Sequence, residues 1–230
     1  MCKMDTYFEC GFFVDVGANH GIGANNKTDH LQHVGGTDKL WSGVCIDASP
    51  NIFGLLKKNR QSRAVTCINA CIVSEKKAGL PVEFLISDVT SLSSGIIYDG
   101  NEEDSPLRWN TEEKILKYCE DTDQKYKTVS LIGQSLCQIL KNVGAPKEIH
   151  YLKLDIEGAE EDVISDFCFK EYKVYCIEIE QATEKTYNKL SEEGFVYVGG
   201  NSVDDWFVNK NHPSFSKYIE LAFNAEGERF

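Results

Sequence analysis

Two stretches of this chain gather the residue types that do chemistry. The first is Phe13-Val-Asp15-Val-Gly17-Ala-Asn19-His-Gly21, a glycine-rich turn directly behind an apolar run. Glycine in such a turn lets the backbone approach a ligand closely and adopt positive φ. Asp15 and Asn19 add polar groups able to hold an ammonium or a carboxylate. The second stretch is Tyr151-Leu-Lys153-Leu-Asp155-Ile-Glu157-Gly-Ala-Glu160. Side chains alternate along a strand, so Lys153, Asp155 and Glu157 share one face if the strand extends that far, and Leu152, Leu154 and Ile156 take the other. Charges are costly in a strand buried on both faces, so these are either paired with one another or placed at an open carboxyl end. The structural reading is a satisfied ion pair, with Glu160 to Asp162 favouring a helix N-terminus. The functional reading, which we favour, is an acceptor site in which clustered carboxylates raise one another's pKa and supply a base. Glu178 and Glu180 repeat the alternation on a later apolar run, making the carboxyl edge strongly acidic. A divalent cation at that edge is the less favoured reading, and no residue is assigned as a metal ligand.

The glycine spacing narrows the ligand of the first stretch. A dinucleotide fingerprint requires GxGxxG, whereas the run here is Gly17, Gly21, Gly23, and Gly21-Ile-Gly23-Ala-Asn-Asn26 ends in Asn. There is no GxxxxGK[ST] loop for phosphates. A nucleoside with a short zwitterionic tail fits better than a pyrophosphate, which disfavours a nicotinamide-dependent reductase. Asp47, followed by Ala48, ends a second apolar run, where a carboxylate can accept hydrogen bonds from both ribose hydroxyls. Asn69 and Ala70 lie on a third and would flank a base by topology alone.

The elements that must position these residues alternate apolar runs with helical stretches, predicting α/β with a mostly parallel sheet. Phe12 to Val16 and Gly43 to Ile46 read as buried strands, Ala64 to Val73 as a third, and Val82 to Ile86 as an added one. Ser49-Pro50 opens a helix, with Ser as N-cap and Pro at the first position. Residues 87 to about 127 are polar, with a helix expected from Thr111 to Cys119; so long an insertion in a single domain spanning 1–230 reads as a lid or acceptor side. Helices follow at Ser135 to Val143, Ala159 to Phe167 and Thr183 to Glu193. Strands are expected at Ile149 to Leu154 and Tyr172 to Ile179, with Phe195 to Val198 and Trp206 to Val208 as an antiparallel edge.

The bulk numbers limit the partners. A formal net charge of −12 disfavours nucleic acid bound through its phosphates, although Lys57, Lys58, Arg60 and Arg63 form a small basic cluster, read as a solvated helix end. No apolar run approaches a membrane span and no signal peptide is recognised, so a cytoplasmic protein is expected. The nine cysteines form no CxxC pair and several sit inside apolar runs; they read as buried and reduced. Oligomeric state leaves no trace in the sequence.

At these residues the chain resembles the FkbM family of methyltransferases. The matches are Phe13 to Gly21, Trp41-Ser-Gly-Val-Cys-Ile-Asp47-Ala-Ser-Pro50, Leu56 with Asn59-Arg60, Asn69-Ala-Cys-Ile72, and Leu152-Lys-Leu-Asp-Ile-Glu-Gly-Ala-Glu160. The resemblance implies a Rossmann-like class I methyltransferase fold with helices on both faces of the sheet. It further implies S-adenosylmethionine as methyl donor and, usually, O-methylation of a hydroxyl on a sugar or natural product. Carried onto this chain, Asp15, Gly17, Asn19 and Gly21 hold the methionine part, Asp47 the ribose, and Asp155 lies near the sulfonium with Glu157 and Lys153 beside it. Asp47 stands where the family usually has Glu, and the polar segment from Asn25 to Lys39 reads as an insertion at the cofactor mouth. The competing readings are an RNA ribose 2′-O-methyltransferase, which would use a second Lys beside Lys153, Asp155 and Glu180, and a binding module that has lost catalysis.

Overall fold

The apolar runs become the middle of a sheet buried on both faces. The computed structural model describes residues 11–23, 28–29, 41–61, 64–87, 126–212 and 215–216. Five strands run parallel: β1 (Gly11–Val16), β2 (Trp41–Asp47), β3 (Val65–Asn69), β7 (Glu148–Leu154) and β8 (Lys173–Glu180). Two more, β9 (Phe195–Gly200) and β10 (Asp204–Asn209), close one edge antiparallel, giving the order β3-β2-β1-β7-β8-β10-β9. Alternation sorts the side chains: Val14, Val16, Val44, Ile46, Leu152, Leu154, Ile177 and Ile179 pack into one core. Phe13, Cys45, Tyr151 and Cys176 pack into another on the opposite face.

The connection out of β3 returns to the far side of β1, so chain order reverses between β1 and β7. At such a switch point the loops leave in opposite directions and open a crevice at the carboxyl ends of the strands. The turn after β1 and residues 155–158 after β7 therefore lie side by side, with the Asp155 N–H donating to the Val16 carbonyl at 3.0 Å.

The helices follow their caps. In α1 (Pro50–Arg60) Pro50 occupies the start as expected, but Ser49 makes no side-chain cap bond. The expected N-cap role of the Ser49 hydroxyl is thus corrected: the side chain is turned inward and buried. By contrast, Ser135 caps α2 (Leu136–Asn142) by accepting the Gln138 N–H at 3.2 Å. Thr183 does the same for α4 (Glu184–Glu192) from Thr186. Between them lies α3 (Glu160–Asp166), whose first turn holds Glu160, Glu161 and Asp162.

A second sheet, absent from the expectation, combines β4 (Cys71–Val73), β5 (Pro81–Ser87) and β6 (Tyr126–Ser135) in the order β4-β6-β5. The single strand expected from Ala64 to Val73 is broken at Ala70 into β3 and β4, which join different sheets. There the Asn69 amide donates to the carbonyls of Asp47 and Ala48, at 2.8 and 3.0 Å, and the Ala70 N–H turns to Asp47 O. β6 carries a period-two signal in Val129 and Leu131, which pack against the small sheet's core while Thr128, Ser130 and Ile132 are exposed. The expected helix from Thr111 to Cys119, and most of the 87–127 segment, lie outside the described residues.

Two further expectations change. Cys45 and Cys71 are free and buried and Cys176 is buried, but Cys137 and Cys168 form a disulfide across 31 residues, tying α2 to the loop after α3. Neither spacing nor a CxxC pattern announces that pair; the two come together because α2 and α3 both pack into the same core. Disulfides persist in oxidising compartments, so the cysteine argument for a cytoplasmic protein falls away. Among the described residues no helix is long and apolar enough to cross a membrane. In the basic cluster, Lys57 and Lys58 are exposed while Arg60 is wholly buried, so Arg60 is no part of a solvated helix end.

Candidate active site

The turn after β1 is built so tightly that only glycine fits. Gly17 has φ of +82°, and a Cβ there would sit 1.7 Å from the Asp155 carbonyl oxygen. Its N–H and that of Ala18 both donate to Ile46 O, at 2.9 and 3.0 Å, which folds the turn onto β2. Asn19 also takes positive φ, +50°, and its side-chain oxygen accepts the His20 N–H. A Cβ on Gly21 would meet Leu56 at 2.5 Å, so α1 packs directly against the turn. The Asn59 amide secures that contact by donating to His20 O at 2.7 Å.

Asp47 clasps two loops at once. One carboxylate oxygen accepts the Asn19 N–H and the other the Ser49 N–H, both at 2.9 Å. Burial pushes its pKa up to about 6 despite those two bonds, with Asp15 and Asp155 adding to the rise. Asp15 is 1 % exposed; its Oδ2 accepts the Thr28 hydroxyl at 2.5 Å. Among the described residues Asp15 Oδ1 and Ser49 Oγ are buried polar atoms with no hydrogen-bond partner. Ala70 is buried in the core, and Ala48 is half-buried with its carbonyl held by Asn69. Asn69 therefore shapes the β2–α1 turn with its amide hydrogens.

Across the crevice the acids face one another. Strand β7 stops at Leu154, so Asp155 and Glu157 belong to the loop beyond it and alternation alone does not orient them. Glu157 has φ of +60° and Gly158 +106°. This bend is held by Glu160, whose carboxylate accepts the N–H groups of Ile156 and Gly158 at 2.7 and 2.8 Å. Burial raises the Glu160 pKa to about 7, against the pull of those same bonds. Glu160 thus serves as the loop's internal brace rather than only as a helix-start acid.

Lys153 donates to Asp155 Oδ2 at 2.5 Å. Burial works against its charge, yet Asp155, Asp15 and Glu178 together hold its pKa above the usual lysine value. Glu178, fully buried opposite Lys153 in the β7–β8 register, accepts from the Tyr151 hydroxyl and the Trp206 indole, each at 2.7 Å. Carboxylate oxygens of Asp155, Glu157 and Glu180 lie within 4.8 Å of one another. Burial, and then the charges of Asp155 and Glu157, push the Glu180 pKa up, with a hydrogen bond to Asp155 contributing. That spacing would admit a cation, but Lys153 already supplies positive charge at Asp155.

The structure thus brings Lys153, Asp155 and Glu157 together beside Asp15, Gly17 and Asp47, while Asn19 is tied to Asp47 and Gly21 packs on α1. Glu180 joins the acid group from the neighbouring strand; its signal was the alternation with Glu178. Thr28 and Arg60 enter the same neighbourhood with no signal in local spacing.

A sheet ordered β3-β2-β1-β7-β8-β10-β9, with a glycine turn, an acid at the second strand end and an acidic crevice at the switch point, defines a Rossmann-like α/β protein of the methyltransferase class. The sequence matches the methyltransferase FkbM domain over residues 15–208, and the chain belongs to that family. Membership makes it a methyltransferase and implies S-adenosylmethionine as the donor. No curated protein matches the chain. Among solved structures it is similar to a precorrin-6y C5,15-methyltransferase from Geobacter metallireducens GS-15, at 10 % identity and a TM-score of 0.43, over 90 % of this chain and 82 % of that one. It is also similar to the methyltransferase domain of METTL16, at 9 % identity and a TM-score of 0.37, over 90 % of this chain and 62 % of that one. The family assignment rests on the sequence match.

Proposed function

We propose that the chain O-methylates a hydroxyl of a sugar or small natural product, using Asp155 and its acidic neighbours as the proton acceptor. S-adenosylmethionine, when bound, supplies an activated methyl on a cationic sulfonium, which leaves the protein two tasks: alignment and proton removal. Asp15, Gly17, Asn19 and Gly21 take the methionine part, Asp47 and Ala48 the ribose, and Asn69 and Ala70 border the base. The residues fit such a ligand. Asp15 Oδ1 near the end of β1 and Ser49 Oγ on the turn after β2 are buried polar atoms with no hydrogen-bond partner among the described residues, leaving capacity for a ligand's donors. Each Asp47 oxygen also keeps a second lone pair beyond its one backbone bond.

The observation that carries the reading is the convergence of Lys153, Asp155, Glu157 and Glu180 at the switch point, with Nζ to Oδ2 at 2.5 Å and the three carboxylates within 4.8 Å. Lys153 orients Asp155. Crowding makes it favourable for the acid group to take up one more proton, as removal of a hydroxyl proton demands. The alternative acceptor, an RNA ribose 2′-hydroxyl, is disfavoured by the net charge of −12.

Calorimetry with S-adenosylmethionine and with its demethylated product tests the donor site; absence of heat with both overturns the reading. Formation of the demethylated product over a panel of hydroxylated sugars tests the acceptor class. If the donor binds but turns over only with amine or RNA acceptors, the O-methylation of small molecules is wrong.

A further inference from the structure

Between β1 and β2, the described residue Thr28 lies in the interior. Thr28 is wholly buried, 13 positions beyond Asp15, and its hydroxyl donates to Asp15 Oδ2 at 2.5 Å. The same hydroxyl accepts from Arg60 Nη2 at 3.0 Å, and the Thr28 carbonyl lies 3.4 Å from Arg60 Nη1. Asp29 strengthens the arrangement: one of its oxygens is 4.0 Å from Arg60 Nη1, and the other accepts the Gly23 N–H at 3.3 Å. Arg60 also forms part of the wall against which Gly21 packs.

The proton order in this chain is determined by chemistry. A guanidinium only donates and an ionised carboxylate only accepts, while a hydroxyl has one proton to give. Oγ1 of Thr28 therefore accepts from Arg60 and spends its proton on Asp15. Burying a guanidinium and a carboxylate is costly unless both are held by partners. Here that cost is met along the Oδ2 side, while Oδ1 of the same carboxylate stays buried and without a partner among the described residues. The network clamps Oδ2 through Thr28 and leaves the acceptor capacity of Oδ1 unused among the described residues.

We infer that Thr28 and Arg60 are positioning residues for the donor's amino-acid tail, fixing Asp15 so that Oδ1 meets its ammonium group. The inference rests on the proposed donor site and deepens it. Neither residue touches the reacting methyl. Their role is selective for the tail and indifferent to the nucleoside, which supplies a readout that a general stabilising role would not move.

The test is calorimetry on the full chain with three ligands: S-adenosylmethionine, its demethylated product, and methylthioadenosine, which keeps the nucleoside and lacks the amino-acid tail. Thr28→Val keeps the volume and removes the hydroxyl. It is expected to weaken the two tailed ligands about tenfold or more and to leave methylthioadenosine within about twofold. Thr28→Ser restores tailed-ligand binding. Arg60→Lys keeps the charge, loses the planar fork and gives the same ligand-selective loss, so it carries the test if the Val variant does not fold. Equal weakening of all three ligands, or unchanged affinity for the tailed pair, overturns the inference while leaving the donor site standing. A wild-type chain that binds none of the three overturns both.

Discussion

Acids line both sides of one crevice, yet the two sides treat them in opposite ways. On the β1–β2 side, Asp15 and Asp47 are each held by hydrogen-bond donors: a threonine hydroxyl for one, two backbone N–H groups for the other. On the β7–β8 side, Asp155, Glu157 and Glu180 crowd together, with Lys153 bonded to Asp155. A carboxylate surrounded by donors is a fixed acceptor, suited to reading hydroxyl and ammonium groups. A carboxyl pushed against its own kind gains affinity for protons. In the proposed function, identical residue types at the same sheet edge take a binding role or a proton-transfer role according to their neighbours.

The contrast is most directly broken by removing charge from the proton-transfer side. Asp155→Asn and Glu180→Gln should each lower turnover about 10²- to 10⁴-fold with donor affinity unchanged, measured by product formation and by calorimetry on the same samples. Loss of donor binding instead would erase the division of labour between the two sides.

Gly17 lies at the seam, and Gly17→Ala should damage both. Its Cβ would collide with the Asp155 carbonyl in a backbone conformation disfavoured for alanine. A cost of about 3 kcal/mol is expected, read as a lower midpoint in denaturant together with lost donor binding.

Breaking the Cys137–Cys168 bond probes a region where Cys137 borders Leu136, Val163, Asp166 and Phe167 rather than the acids of the crevice. Reduction, or Cys137→Ser, should cost about 2–4 kcal/mol of stability through the loop it closes, with donor affinity unaltered. Altered affinity at a temperature where the chain remains folded would mean that the acid crevice depends on α2.

The smallest effect sharpens the comparison on the binding side. Asp47 titrates near 6, above the ordinary carboxylate value, because burial penalises its charge. Protonation below that pH removes acceptor capacity for the ribose, so donor affinity should fall about tenfold per pH unit below 6 and level off above it. The same raised pKa means that ionising Asp47 opposes folding: its contribution to stability declines as pH rises from about 4 to 6 and is constant beyond. A flat affinity profile through this range would remove Asp47 from the ribose contact.

Much of this was legible in the residues themselves. The continuous apolar runs of β1, β2, β7 and β8, the glycine turn at Gly17 to Gly21 and the acids that follow β7 marked a parallel α/β sheet with an acidic carboxyl edge. Local pattern suffices there, because burial on both faces demands apolar runs and a tight turn demands glycine. Tertiary structure alone decided the rest. It split the run from Ala64 to Val73 between two sheets, paired Cys137 with Cys168, buried Arg60, and brought Thr28 to Asp15. These are contacts between segments distant in sequence, set by sheet order and helix packing. No local spacing encodes them, since a side chain's partner across a fold depends on which strand is placed beside its own.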